Sequence, residues 1–469
     1  MKLYIISNRL PVKIARDASG NLLFLESEGG LVTGLNSLHT EVERHWIGWP
    51  GMHVSSKKER SIVTDKLHEK NFHPVFLSNN QIDTFYKGYC NSILWPLFHY
   101  FFSFMEYENN YWDSYKEVNQ LFLSAAAQLI EPGDIVWVQD YHLMLLPKML
   151  RTTVPSISIG YFHHVPFPSY DLFRVLPKRA ELLHGLLGAD LVGFHTFDYK
   201  SHFISTVERV LHLNFTNNYL QLEGRKMCAA YFPMGINYEK YHAAFEKAAV
   251  TNVHKAPSSN HEKSKTILSV DRLDYSKGII HRVKAFGNFL KHHPEYRTKI
   301  ALLMVIVPSR DNVYRYAYLK KEINEAISAI NGAYSTRTWT PICYFYHSLS
   351  FEYLVTLYRE ADIALITPLC DGMNLVAKEY IAAKRNTPGV LILSEMAGAS
   401  IELNEALLIN PNDLQQIEQS IVEALSMPVE EQFRRLHVMQ AIVKKQDIKK
   451  WAFDFLSTQQ RIYLENKKN

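Results

Sequence analysis

Short apolar and β-branched runs alternate with longer stretches of helical spacing along the 469 residues. The runs read KLYIIS, DIVWVQD, SISIGYFHH, LVGFH, AAYFPMG, TILSVDR, ALLMVIVP, ICYFY, IALITP and VLILSE. They are apolar throughout rather than alternating, which marks strands covered on both faces. Strand then helix, repeated many times, predicts a doubly wound α/β architecture with parallel sheets. So many strands suit two sheets better than one. No internal repeat, low-complexity tract or heptad interrupts the pattern.

Composition sharpens this only in places. A chain of this length with 47% hydrophobic residues can fill two large cores. Its 51 basic and 47 acidic residues leave a formal charge of +4, scattered rather than striped, so nucleic acid is not an expected partner. Cys90, Cys228, Cys343 and Cys370 show no metal-ligand spacing, which suits a reduced, cytoplasmic protein. The apolar part of MKLYIISNRLPVK is too short for a signal peptide, and IALLMVIVP falls far short of a membrane span. The polar stretch 253–265 has linker composition, and the turn FPMGIN at 232–237 is the other candidate domain boundary.

In open α/β sheets, ligands sit beyond the carboxyl ends of the strands. The residues just past the expected strands are Arg9, Asp140, His163, His164, Arg272 and Asp371. In SVDRLDYSKG, Arg272 and Lys277 precede a helix start, a combination suited to a diphosphate: a fork, a point charge and a dipole. The plainer reading is a solvated basic loop. In CDGMNLVAKEY, Gly372 and the helix-start amides offer an anion seat, and Asp371 and Glu379 can accept from sugar and ribose hydroxyls. Read locally, Asp371 is better explained as a helix N-cap. SEGGLVTGL does not have dinucleotide-binding spacing, and there is neither a Walker loop nor a D-x-D metal clamp. Asp140 and His164 gain interest only as a converging pair. Tyr86 and Trp95 lie in the aromatic run YKGYCNSILWPLFHY, where core packing competes with stacking on a sugar.

Taken together, SNRLPV, GWPG, NSILWPLFHY, WVQDYHLMLLP, PFPS, GFHTFDY, VDRLDYSKG, PSR, DGMNLVAKEY and GVLILSEMAGA resemble the trehalose-6-phosphate synthase family, in family order along nearly the whole chain. The resemblance implies a GT-B fold, two Rossmann-like domains with an active-site cleft between them. It implies retaining, metal-independent transfer of glucose from UDP-glucose to glucose 6-phosphate. No cofactor is implied, and a homo-oligomer is compatible with it. It sets an acceptor-side domain at 1–235, a nucleotide-sugar domain at 236–450, and a helix at 451–469 returning to the first domain. This displaces 253–265 as the boundary.

Carried over by position, the donor side falls on Gly30, His164, Arg272, Lys277, Asp371, Met373, Asn374, Leu375, Val376 and Glu379. The catalytic role falls on Arg272, Lys277, His164 and Asp371. The acceptor side falls on Arg9, Trp49, Tyr86, Trp95, Asp140 and Arg310, with the two arginines on the acceptor phosphate. Two departures stand out: Cys370 where the family has arginine, and KGYCNS where it has an NGFSNS-like stretch. The alternatives are a synthase using glycerol 3-phosphate and a silent sugar-phosphate-binding homologue. The length leaves no room for a fused phosphatase domain.

Overall fold

The first apolar run forms a strand because Leu3 to Asn8 find cover on both sides of the backbone; only the last residue, Arg9, emerges. The computed structural model describes residues 1–17, 20–26, 42–248, 264–310 and 314–468. The chain forms two compact units, Met1–Pro233 with Trp451–Asn469, and Met234–Lys450. Most of the polar stretch 253–265 lies outside the described residues.

In chain order the first unit contains β1 (Leu3–Arg9), an antiparallel hairpin of β2 (Val12–Arg16) and β3 (Leu22–Glu26), β4 (Arg44–Trp49) and β5 (Phe72–Pro74). There follow β6 (Ile135–Gln139), β7 (Ser158–Phe162), β8 (Leu191–Phe194), β9 (Tyr219–Leu222) and β10 (Arg225–Tyr231). Apart from the hairpin, these strands make one sheet in the order β5-β4-β1-β6-β7-β8-β10-β9. It is parallel except where β9 meets β10. Between β5 and β6 lies a 13-residue π-helix, Ile82–Leu94. The helix Ile448–Lys468 spans the end of the chain. Its Trp451 and Phe455 rings pack on Trp137 at 5.0 and 4.6 Å, and Gln459 Nε2 donates to Val136 O and Ser158 Oγ. Gly160 and Gly193 are bare because Phe455 occupies the space of a Cβ at both.

The second unit holds β11 (Lys265–Arg272), β12 (Ile300–Val307), β13 (Ile342–Phe345), β14 (Ile363–Ile366), β15 (Val390–Ser394) and β16 (Leu407–Ile409). All are parallel, in the order β13-β12-β11-β14-β15-β16. Ile267, Leu302, Ile363 and Ile392 face one cover of helices while Leu268, Leu303, Ala364 and Leu391 face the other. Burial of each large side chain contributes about 1.5–3 kcal/mol.

Among its parallel strands each sheet reverses its order once, between β1 and β6 in the first and between β11 and β14 in the second. The crossovers on either side of such a point leave to opposite faces, so the loops at the strand ends part and open a crevice. The loops at the two switch points begin at Arg9 and Asp140, and at Arg272 and Thr367. No described helix is long and apolar enough to cross a membrane.

Candidate active site

The second switch point is built from two loops pressed together. The β11 loop ends in a short 3-10 turn, Tyr275–Lys277, and Gly278 then opens the helix Ile279–His292. Gly278 has φ 64°, and a Cβ there would strike the carbonyl oxygen of Thr367. Glycine therefore permits the approach, which Leu369 N and Cys370 N secure by donating to Ser276 O at 2.7 and 3.3 Å. This contact brings Lys277 against the β14 loop. Its Nζ lies 2.6 Å from Asp371 Oδ2, both side chains being largely buried. Asn374 Nδ2 donates to the same oxygen at 3.0 Å. Arg272 is exposed at the end of β11, where it pairs with Val307 of β12, and its side chain has no hydrogen-bond partner among the described residues.

Asp371 is not the helix cap that its position locally suggests. Asn374, at φ 73°, caps the helix Leu375–Ala383 by accepting from Ala377 N at 3.2 Å. The left-handed backbone suits asparagine, whose side chain bonds locally. Asp371 is thereby left to face Lys277. The amides of Leu375 and Val376 sit at the positive end of that helix. One and a half turns on, Tyr358 Oη donates to Glu379 Oε2 at 2.9 Å. Burial raises the Glu379 carboxyl, opposed by hydrogen bonds from Tyr241 and Tyr358.

Behind the loops lies a residue the sequence reading missed. Arg282 is completely buried, and its guanidinium touches four residues on three segments. Nη1 pairs with Asp271 Oδ2 at 2.7 Å and donates to Ser269 Oγ; Nε donates to Thr367 Oγ1 at 3.1 Å; Nη2 donates to Lys277 O at 3.2 Å. The backbone that carries Lys277 is thus fixed to both switch-point strands. The signal was there: Arg282 occupies the apolar stripe of its helix with Ile279, Val283 and Phe286. A cation on a buried face demands partners.

At the first switch point, the Arg9 guanidinium lies 4.9 Å from the Trp49 ring and 5.4 Å from Tyr86, whose rings are 5.6 Å apart. Tyr86 projects from the π-helix, a form often found at functional sites. Asp140 has φ 69°, and its Oδ1 accepts from His164 N at 3.1 Å. His164 Nε2 is 2.8 Å from Gln139 Oε1, and burial lowers its imidazole to about 3, so it is neutral at physiological pH. His163 is wholly buried against Phe98 and Tyr161, a core residue. Trp95 is also buried, with His99 at 4.0 Å.

The structure brings together Arg9, Trp49 and Tyr86; Asp140 and His164; and Lys277, Asp371 and Asn374. Arg310 belongs to the second unit and Arg9 to the first. Arg310 Nη1 reaches Asp274 Oδ2 and Tyr316 Oη. Gly30 lies outside the described residues. Cys370, which stands where the family pattern has arginine, is 3% exposed. Among the described residues, no group of three or more His, Cys, Asp or Glu could hold a metal ion.

The family model described as glycosyltransferase family 20 matches residues 1–461. The chain belongs to glycosyltransferase family 20. This family 20 chain is 42% identical over 467 residues to the bifunctional trehalose-6-phosphate synthase/phosphatase of Thermoproteus tenax, covering 97% of itself but 63% of that protein's length. It is 40% identical over 465 residues to the UDP-forming α,α-trehalose-phosphate synthase of Botryotinia fuckeliana, with 98% and 89% of the two chains covered. It is also similar to a UDP-forming α,α-trehalose-phosphate synthase from Burkholderia xenovorans, solved in complex with glucose-6-phosphate. The TM-score is 0.87 at 31% identity, covering 98% of this chain and 100% of that one. The fold is therefore GT-B, with two Rossmann-like units.

Proposed function

We propose that this family 20 chain transfers glucose from UDP-glucose to glucose 6-phosphate with retention, forming α,α-trehalose 6-phosphate and UDP. The observation that carries this reading is the second switch point. There Lys277 stands 2.6 Å from Asp371, with exposed Arg272 on the same loop. Two cations and two helix starts suit a diphosphate, while Asp371 and Glu379 suit hydroxyls.

In the reaction, the anomeric hydroxyl of glucose 6-phosphate attacks C1 of the donor glucose from the face that the diphosphate leaves. The bond from C1 to the β-phosphate oxygen breaks through an oxocarbenium-like state, and the departing phosphate takes the hydroxyl proton. Charge grows on the leaving diphosphate, and Arg272, Lys277 and the amides of the helix Leu375–Ala383 stabilise it. Asp371, with Met373 to Val376, holds the donor sugar and phosphates; Glu379 holds the ribose. His164, neutral, serves the donor as a hydrogen-bonding group. Arg9, Trp49, Tyr86, Trp95, Asp140 and Arg310 form the acceptor side. No metal ion takes part, because the loop cations carry the diphosphate charge. The four cysteines form no disulfide, which suits a reducing compartment such as the cytoplasm.

The test is incubation with a panel of nucleotide-glucoses and acceptors, with products identified by mass, with and without chelator. Trehalose 6-phosphate from UDP-glucose, insensitive to chelator, is the expected result. A product formed only with glycerol 3-phosphate would overturn the acceptor; no transfer with any donor would overturn the activity.

A further inference from the structure

Between Arg272 and Lys277, on the β11 loop, lies Asp274, which no role described above uses. It is 2% exposed, and both carboxylate oxygens are engaged. Oδ1 accepts from Ser276 N at 2.9 Å and so shapes the turn that presents Lys277. Oδ2 accepts from Arg310 Nη1 at 2.7 Å and from Tyr316 Oη at 2.9 Å. Tyr316 Oη is itself 2.6 Å from Arg310 Nη1, which closes a triangle of buried polar groups. Tyr316 is almost fully buried and Tyr275 packs on it at 5.6 Å. Burial, reinforced by Asp274, holds the Tyr316 phenol far above its ordinary value, so it stays a donor.

Arg310 has φ 54°, a backbone form that costs a side-chain-bearing residue energy unless its surroundings hold it there. The Asp274 carboxylate supplies that hold by a charge-assisted bond. It takes one amino group of the guanidinium and fixes the plane of the rest.

We infer that Asp274 is a positioning residue that locks the acceptor-phosphate cation, Arg310, to the loop carrying the diphosphate cations. The inference rests on the function proposed above. Asp274 touches neither substrate. It sets the angle of Arg310 through Oδ2 and the turn of Lys277 through Oδ1, so both anion sites share one buried carboxylate. The two phosphate groups are then held at a fixed spacing, which decides that the acceptor is a phosphorylated sugar of a given length.

The experiment is a double-mutant cycle read on two acceptors, glucose 6-phosphate and glucose, with the donor UDP-glucose. The native chain is measured first: no preference for the phosphorylated acceptor there would overturn the proposed function itself. Given that preference, Asp274→Asn should reduce it by about tenfold or more, the effect of one charge-assisted bond. In the Arg310→Ala background the same replacement should leave the acceptor ratio unchanged, since the side chain through which it acts is gone. Turnover should fall a few-fold in both backgrounds, through the Ser276 link to Lys277. Tyr316→Phe, which keeps the charge pair, should give a smaller loss of preference by the same pattern and serves where Asp274→Asn does not fold. Equal loss of preference in both backgrounds would mean that Asp274 only supports the fold, and an unaltered preference in the native background would also overturn the inference.

Discussion

Lys277 and Asp371 neutralise one another, and in the proposed reaction a donor diphosphate entering beside Lys277 competes with Asp371 for its Nζ. In the ground state the exchange of one anion for another gains little. As the glycosidic bond breaks, the leaving phosphate gathers charge and Lys277 turns towards the stronger partner. Lys277→Ala is therefore expected to lower kcat by about a hundredfold or more while UDP affinity changes little. Titration of UDP and steady-state kinetics on the variant check this; a raised KM with unchanged kcat would assign Lys277 to binding alone. Cys370, one residue before Asp371, behaves differently. Burial pushes its thiol up to about 12, with Asp371 adding to the rise and Lys277 opposing it. A buried, protonated thiol is a poor nucleophile. Iodoacetamide at neutral pH is expected to leave Cys370 unmodified in the native protein, as peptide mapping would show. Rapid labelling with loss of activity would mean that the loop opens.

At the scale of elements, the loops of the second switch point depend on the buried Arg282. Removing one partner of such a pair leaves the other charge unpaired, at a cost of about 3–5 kcal/mol. Arg282→Ala is expected to lower stability by that amount in urea unfolding, with Asp271 on β11 left buried and unpaired. Any folded fraction should lose turnover, because Lys277 O loses its anchor. The elements also show what a sequence pattern conveys. All ten apolar runs lie at strands, since burial on both faces leaves an unbroken apolar signature. The short edge strands β5, β9 and β16 were not foreseen, because three or four residues carry no period, and neither were the hairpin β2–β3 and β4, whose charged and polar residues interrupt the apolar run. The π-helix Ile82–Leu94 was equally hidden, because its hydrogen-bond shift has no distinct hydrophobic spacing. Polar residues past strand ends were legible through topology. Their partners were not, since Asp274–Arg310 and Lys277–Asp371 are contacts between loops distant in sequence. Asp371 misled for a related reason: an acid near a helix start looks like a cap until Asn374 is seen to fill that place.

Across the whole molecule, the two units carry unequal responses to acid, because most of the buried histidines lie in the first. In the first unit, burial lowers His73 to about 4, and His163 and His164 to about 3. Each would bind a proton near pH 6.5 once unfolded. Between that value and the folded one, the unfolded chain holds more protons, so stability rises with pH and is lost on acidification. His163, wholly buried, makes this loss about 1.4 kcal/mol for each pH unit below 6.5. In the second unit, burial lowers one imidazole, the half-buried His281, against three in the first, and raises Asp271 and Glu379. At those two carboxyls the folded form binds protons more readily than the unfolded one, so acid relieves a cost. Lys384, lowered by burial to about 7, penalises folding fully below that pH and adds no further loss on acidification. Lowering the pH from 7 to 5 is therefore expected to loosen the first unit before the second. Limited proteolysis with mass mapping at both values checks the order, and cuts at pH 5 should concentrate in 1–233. In His163→Leu, the extra cutting at pH 5 should diminish, because no imidazole remains there to take up a proton on unfolding. Earlier cutting in 234–450, or a His163→Leu variant as acid-sensitive as the parent, would refute the assignment of acid sensitivity to the buried histidines.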